Sequence, residues 1–206
     1  VVEDSSPTSA GNLEWFLKTC LKDEKERHKE KVYDICSEAV GQVSPEDTEL
    51  VFVPYLYASA TNPGAKGMFL GLSGHHGLEH LLRAVYEGVA FSTAFHVERL
   101  TEGRPMKYRT ARFSGGASGS PVWTQMICDV LQMPVEVPAA SELSAMGAAM
   151  SAGIACGAFR NHREAVERMV KIARRYEPCR KKAKIYKRKF ERYKKAVRLL
   201  DRYYEK

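Results

Sequence analysis

From residue 107 onward strand-length and helix-length segments alternate, and that order constrains the fold more than any other feature of the chain. Lys107–Phe113 reads as a short strand, Gly119–Leu131 as a helix, Pro134–Val137 as a short strand, and Leu143–Cys156 as a helix of small residues. Strand, helix, strand in succession implies parallel pairing with crossover helices, because two parallel strands need a connection that runs back along the sheet. In such sheets ligands bind beyond the carboxyl ends of the strands, which directs attention to Ser114–Ser120.

Upstream of this unit the pattern is mostly helical. Val1–Glu3 reads as the end of a strand. Ser9 or Asn12 can cap a short helix through Cys20, with Glu14 in its first turn. Glu24–Val40 is charged and periodic and predicts one further helix, closed near Gly41. Glu49–Leu56 predicts a buried strand with Pro54 at its end or on an edge. After a loop over Ala58–Lys66, Gly67–Leu72 reads as a strand or an extended turn. Leu78, Leu81, Leu82, Val85, Val89 and Phe95 then mark one face of a long helix between Gly74 and Leu100. Near the end, Asn161 or His162 starts a short helix, and Val170–Tyr176 predicts a terminal strand.

The net charge of +7 is unevenly placed. From Tyr176 onward there are 13 Lys and Arg against 4 Asp and Glu, whereas residues 1–175 carry 19 against 21. In that basic tail Tyr186, Phe190, Tyr193, Val197, Leu200 and Tyr204 recur at spacings of four and three, which places them on one stripe of a helix. The expectation is therefore a domain over 1–176 and an amphipathic helix over 177–206 that packs on it, its Lys and Arg facing water. No nucleic-acid partner is expected, since neither zinc-ligand spacing nor an RNA-binding pattern accompanies the charge. The stripe can alternatively pair with a second copy as a homodimer. No run of eighteen apolar residues occurs, so no membrane span is expected. The five scattered cysteines form no CxxC pair and read as reduced thiols in a cytoplasmic protein. The chain has no initiator Met and no secretory signal pattern, and is expected to begin partway through a longer protein.

Arg112–Ser120 carries the chemistry. Three glycines in five positions (115, 116 and 119) admit unusual backbone angles and a close approach by a ligand. Ser118 and Ser120 can cap the following helix, whose first amides lack intrahelical partners and attract phosphates or other acceptor-rich groups. The segment is neither a P-loop, lacking Gly-Lys-Ser/Thr, nor a G-x-G-x-x-G dinucleotide turn. Alone, a strand-Gly-Gly-helix turn is equally consistent with a purely structural role.

Four segments in order resemble the FGGY family of carbohydrate kinases. Phe113-Ser-Gly-Gly-Ala-Ser-Gly-Ser-Pro-Val-Trp-Thr-Gln-Met126 is similar to the family's adenosine motif. Val135-Glu136-Val137, Glu142 and Ser144-Ala145-Met146-Gly147-Ala148-Ala149 resemble its continuation. Gly67–Leu72 followed by His80–Gly88 resembles its second signature. Ser6–Phe16 is similar to a segment of L-xylulose kinases within the family.

The resemblance implies an α/β fold of the actin-like, ribonuclease H-like ATPase type, a mixed sheet flanked by helices, here as the incomplete second domain of a two-domain kinase. It implies transfer of the γ-phosphate of ATP, with Mg²⁺, to a sugar such as a ketopentose. The other partner is the N-terminal domain of the same kinase, which supplies the Asp-x-Gly-Thr hairpin, the catalytic Asp and most sugar contacts. No catalytic residue and no metal ligand is thus assigned to this chain. Gly115, Gly116, Ala117, Ser118 and Ser120 become the cofactor-binding residues: Gly116 and Ser120 as the nearest neighbours of adenosine or α-phosphate, Gly115 as the turn, Ala117 as a clear approach, and Ser118 as a donor. Gly147 would let its helix pack closely under the nucleotide. A non-catalytic actin-like scaffold is the alternative.

Other residues invite weaker readings. His75, His76, Glu79 and His80 resemble a metal cluster, but without a third converging ligand they read as a capped helix start. Glu87, inside an apolar face, reads as a buried hydrogen-bonded carboxylate. Cys128 and Cys156 read as inert core thiols. Trp15 and Trp123 read as packing residues. Asp4, Ser5 and Ser6 can form a solvated turn or line a cleft, and Tyr57, Asn62 and Lys66 lie on a loop that can approach it.

Overall fold

A 24-residue helix is the spine of this protein: one sheet packs on it directly, and the helix that lies against it carries the other. The computed structural model describes residues 3–4, 9–59, 62–102, 108–140 and 142–205. The expected strand end at Val1–Glu3, the Ser5–Ser6 turn and the start of the strand expected from Lys107 lie wholly or mostly outside those residues.

The chain opens with α1 (Gly11–Cys20), α2 (Lys22–His28) and α3 (Val32–Gln42). Neither Ser9 nor Asn12 caps α1 with its side chain. Ala10 holds the N-cap position, and the Asn12 amide donates to the Ser9 carbonyl. The single helix expected over Glu24–Val40 is instead two. Lys29 takes a positive φ of 51°, which no helix tolerates, and the chain restarts at Val32. Tertiary packing explains the break: α2 buries no residue, whereas Val32, Cys36 and Val40 turn the α3 face into the core.

Two short strands, β1 (Val51–Val53) and β2 (Met68–Leu70), pair antiparallel, Phe52 opposite Phe69. The spine α4 (Leu78–Thr101) follows and packs on α1, α3 and β1. The second sheet has the order β3-β4-β5, with β3 (Ala111–Arg112), β4 (Val135–Pro138) and β5 (Ile172–Tyr176). Strands β3 and β4 are parallel, joined through α5 (Pro121–Leu131), as the alternation of segments implies. Strand β5 returns antiparallel to β4 and makes the sheet mixed. Glu136 ties all three strands together through ion pairs with Arg112 (3.5 Å) and Arg175 (2.8 Å).

Between β4 and β5 lie α6 (Leu143–Ala155) and α7 (His162–Met169), the latter capped by Asn161, whose side chain accepts from the Glu164 amide. Only Met150 of α6 is buried. The core position expected for Cys156 fails there for that reason, since the residue is exposed. A Cβ added at Gly147 would meet nothing within 4 Å among the described residues. Cys128, by contrast, is fully buried on α5, and burial pushes its thiol up to about 11.

The chain closes with α8 (Ala183–Tyr204), which crosses β1, α4 and α5. Tyr186, Tyr193, Val197 and Leu200 are buried in the common core. These four are covered by the chain itself, while Leu199 and Tyr203 on the same helix are exposed. Burying such a stripe is what holds a lone polar helix in place. Among the described residues no helix is long and apolar enough to cross a membrane.

Candidate functional site

At the end of β3 the chain turns at Gly115, which adopts φ +90° and ψ −177°. Only glycine takes that conformation without strain. A short 3-10 turn, Gly116–Gly119, follows, and α5 begins at Pro121. Ser120 is the N-cap: its hydroxyl accepts from the Trp123 amide at 3.2 Å and lies 3.0 Å from the Ser37 hydroxyl on α3. Replacing Ser120 by alanine removes both contacts, with an expected loss of about 1 kcal/mol in a urea melt. Proline at N1 completes a standard helix start.

The turn is open. Among the described residues, a Cβ placed on Gly115, Gly116 or Gly119 would meet nothing within 4 Å. Among the described residues no acceptor meets the adjacent amides of Gly116 and Ala117, while the Ser118 and Ser120 amides bond back to Gly115 and Ala117. Two neighbouring free amides at a glycine turn suit an anionic or acceptor-rich group. Arg174 holds the turn from the far strand, donating to the Ser118 carbonyl at 3.0 Å.

In front of the turn lies a cleft of ≈ 590 Å³, within the roughly 300–1,000 Å³ of small-molecule sites. Gly116, Ala117, Gly119 and Ser120 form one wall, Trp123 and Tyr86 the floor, and residues from the start of α1 and from α3 the opposite wall. Of the five residues singled out from sequence, Gly116, Ala117 and Ser120 line this cleft. Gly115 and Ser118 do not: Gly115 makes the bend, and the Ser118 hydroxyl donates to the Gly115 carbonyl at 2.7 Å.

The floor is rigid. Trp123 stacks on Tyr86 with ring centroids 4.2 Å apart and donates its indole N–H to the Tyr86 carbonyl at 3.1 Å. Burial pushes the Tyr86 phenol up to about 12, so it stays neutral at physiological pH. Trp15 packs only partly against the core and does not line the cleft.

The α1–α3 wall was missed by sequence reasoning. Ala10, Gly11, Leu13 and Glu14 come from one end of the chain's motif order, and Tyr33, Asp34 and Ser37 from α3. Glu14 is bound by Lys25 and accepts from the Tyr33 hydroxyl at 2.8 Å. The Lys25 and Tyr33 hydrogen bonds hold its carboxyl down to about 2. A helical glycine next to a possible cap was the one available signal, and it points to a ligand only once α1 is seen facing residues 116–120.

The remaining candidates lie elsewhere. Tyr57 donates to the Gly11 carbonyl at 3.3 Å, beside the cleft, while Asn62 is anchored to the Asp201 carbonyl of α8. Asp4 lies on α4, 2.7 Å from His96. His80 accepts from the Gly77 amide and His76 from the Ser73 amide, which caps the start of α4. Among the described residues no three His, Cys, Asp or Glu side chains converge as a metal set.

Residues 2–156 match the C-terminal domain of the FGGY family of carbohydrate kinases. A probable L-xylulose kinase of Pasteurella multocida is 39% identical over 152 residues, covering 74% of this chain and 29% of that protein. The L-xylulose/3-keto-L-gulonate kinase of Escherichia coli is 33% identical over 201 residues, covering 98% of this chain and 39% of that protein. The crystal structure of xylulose kinase from Rhodospirillum rubrum superposes with a TM-score of 0.82 at 28% identity, over 96% of this chain and 39% of that one. The chain thus spans less than two fifths of the length of each of these proteins.

Proposed function

Since this chain belongs to the FGGY family of carbohydrate kinases and has their actin-like fold, we propose that it forms the nucleotide-bearing side of an ATP-dependent sugar kinase. Residues 1–176 are the nucleotide-binding domain, and 177–206 are a helix docked on it. The observation that carries this reading is the glycine-rich turn at residues 115–119, open onto a cleft of ≈ 590 Å³.

The residues present fit ATP. The free amides of Gly116 and Ala117 offer donors to the anionic end of the nucleotide. The small Ala117 side chain keeps the approach clear, and the Ser120 cap fixes the start of α5 under it. Bound ATP, with Mg²⁺, supplies the transferable phosphoryl group. This chain's residues bind and orient it, which for phosphoryl transfer is most of the catalytic task. The proton acceptor for the sugar hydroxyl is assigned outside this chain, and among the described residues no three His, Cys, Asp or Glu side chains converge to hold Mg²⁺. Those parts, and most of the sugar contacts, belong to the N-terminal domain of the intact enzyme. L-Xylulose is the first substrate to test, because two relatives bearing that name reach 33–39% identity. Gluconate is the second, from a Bacillus subtilis gluconokinase at 32%.

Gly116→Val tests the site. The added carbons enter open space and Gly116 has no positive φ, so the fold is expected to keep its melting temperature. They occupy the ledge, so kcat/KM for ATP in the intact kinase should fall about 100-fold, the usual effect of displacing a reacting group by about 1 Å. An unchanged value would remove the turn from the nucleotide site.

A further inference from the structure

Four polar residues from α1 and α3 line the cleft together with the glycine turn: Glu14, Tyr33, Asp34 and Ser37. Three are already engaged. Glu14 is held by Lys25, by Lys18 at 3.2 Å and by the Tyr33 hydroxyl, which uses the Tyr33 donor as well. Ser37 lies 3.0 Å from the Ser120 hydroxyl and 3.4 Å from that of Tyr86. Asp34 alone makes no hydrogen bond or ion pair with a described residue. Its charge reaches the cleft floor, where it adds to the burial that raises the Tyr86 phenol.

A free carboxylate has two properties that matter here. It accepts hydrogen bonds and cannot donate them, and it repels phosphate. The two ends of a bound nucleotide are therefore sorted by the wall itself. The phosphates go to the amides of Gly116 and Ala117, and the end richest in donors goes to Asp34. Ser37 marks where α3 touches the turn, and Asp34 sits three residues earlier, about 4.5 Å along the helix axis at about 1.5 Å per residue. Tyr33, pinned by Glu14, adds an aromatic face at the same end of the cleft.

We propose that Asp34 selects the base: its carboxylate accepts a hydrogen bond from the 6-amino group of adenine and disfavours guanine placed in the same pose, which carries an oxygen at position 6. This rests on the cleft being the nucleotide site. The ribose hydroxyls are also donors, so the test must separate the two sources.

The experiment measures kcat/KM of the intact kinase and of Asp34→Asn with ATP, GTP and 2′-deoxy-ATP. The wild type should prefer ATP to GTP, and Asp34→Asn should cut the ATP:GTP ratio about tenfold, the effect of losing one charge-assisted hydrogen bond. The ratio of ATP to 2′-deoxy-ATP should not move. Because Asp34 is exposed and bonds to no described residue, the variant should melt with the wild type. An unchanged ATP:GTP ratio, a wild type indifferent to the base, or a change confined to 2′-deoxy-ATP would each overturn the assignment. Gly116→Val tells which idea has failed. If it weakens ATP use while Asp34→Asn leaves base preference intact, only the role of Asp34 falls. If neither variant affects ATP, the cleft itself is not the nucleotide site.

Discussion

Gly88→Ala is expected to destabilise the protein by about 3 kcal/mol or more, at the upper end of what overpacking costs. Intrinsic propensity argues the other way, since alanine is favoured over glycine inside a helix by about 1 kcal/mol. Packing decides the sign. A Cβ at Gly88 would stand 2.4 Å from the Phe52 carbonyl oxygen of β1 and 3.0 Å from the Phe52 ring. The first obstacle is backbone and cannot rotate away, so α4 must lift off β1 and loosen the core shared by Val85, Val89 and Phe52. Urea denaturation measures this directly. A midpoint equal to or above the wild type would show that α4 does not lie directly on β1.

The second large effect belongs to Glu87, whose carboxylate lies between two buried cations. Arg83 donates to its Oε1 at 2.9 Å and the Lys189 ammonium lies 2.6 Å from its Oε2. Arg83, Glu87 and Lys189 are each under 5% exposed. Arg83 also donates to the Val40 carbonyl (3.1 Å) and the Tyr186 hydroxyl (3.0 Å), and Lys189 to the carbonyls of Pro45 (3.0 Å) and Thr48 (2.9 Å). The network thus ties α8 to α4 and to the turn after α3. Glu87→Gln keeps the shape and removes the negative charge that Arg83 and Lys189 share, leaving two buried cations without their carboxylate. The expected loss is about 3–5 kcal/mol, as for other broken buried pairs. Lys189→Met should cost less, because Arg83 and Glu87 remain a neutral pair. The double variant should be better than the sum of the two losses, since it removes the unpaired ammonium together with its partner. Additive losses would show that the two side chains do not interact.

The same network gives a pH signature. Burial lowers the Lys189 ammonium from its ordinary value, and Glu87 opposes that shift. Below the folded value both states hold the proton. Between the folded value and about 10.5, the unfolded chain binds more protons, so stability rises with pH there. Without the Glu87 charge the folded value drops further and the window widens downward. Glu87→Gln should therefore recover part of its lost stability as the solution is made alkaline.

Sequence reading went furthest where one residue or one local pattern sufficed. The β3–α5–β4 crossover and the boundaries of α4, α7 and β5 follow from periodicity and turn residues close together in the chain. Gly115 and Ser120 were legible because a positive φ and an N-cap are local demands. The break at Lys29 was not, since nothing in Glu24–Val40 announces it and only burial of the α3 face requires it. The exposure of α6 escaped for the converse reason: an apolar composition says that a helix can be buried, not what lies against it.

The amino-acid sequence alone determined the helix and strand order apart from the α2–α3 break, the basic character of the last helix, the FGGY resemblance and the glycine turn, because these are carried by neighbours in the chain. Tertiary structure decided the cleft. Residues 10–14, 33–37, 86 and 116–123 meet there only after α1 and α3 pack on α4 and α5. It also decided that Lys189, one cation among thirteen in the tail, is buried on Glu87. Hydrophobic burial chooses which faces come together, and that choice sets which polar groups are left without water or a partner.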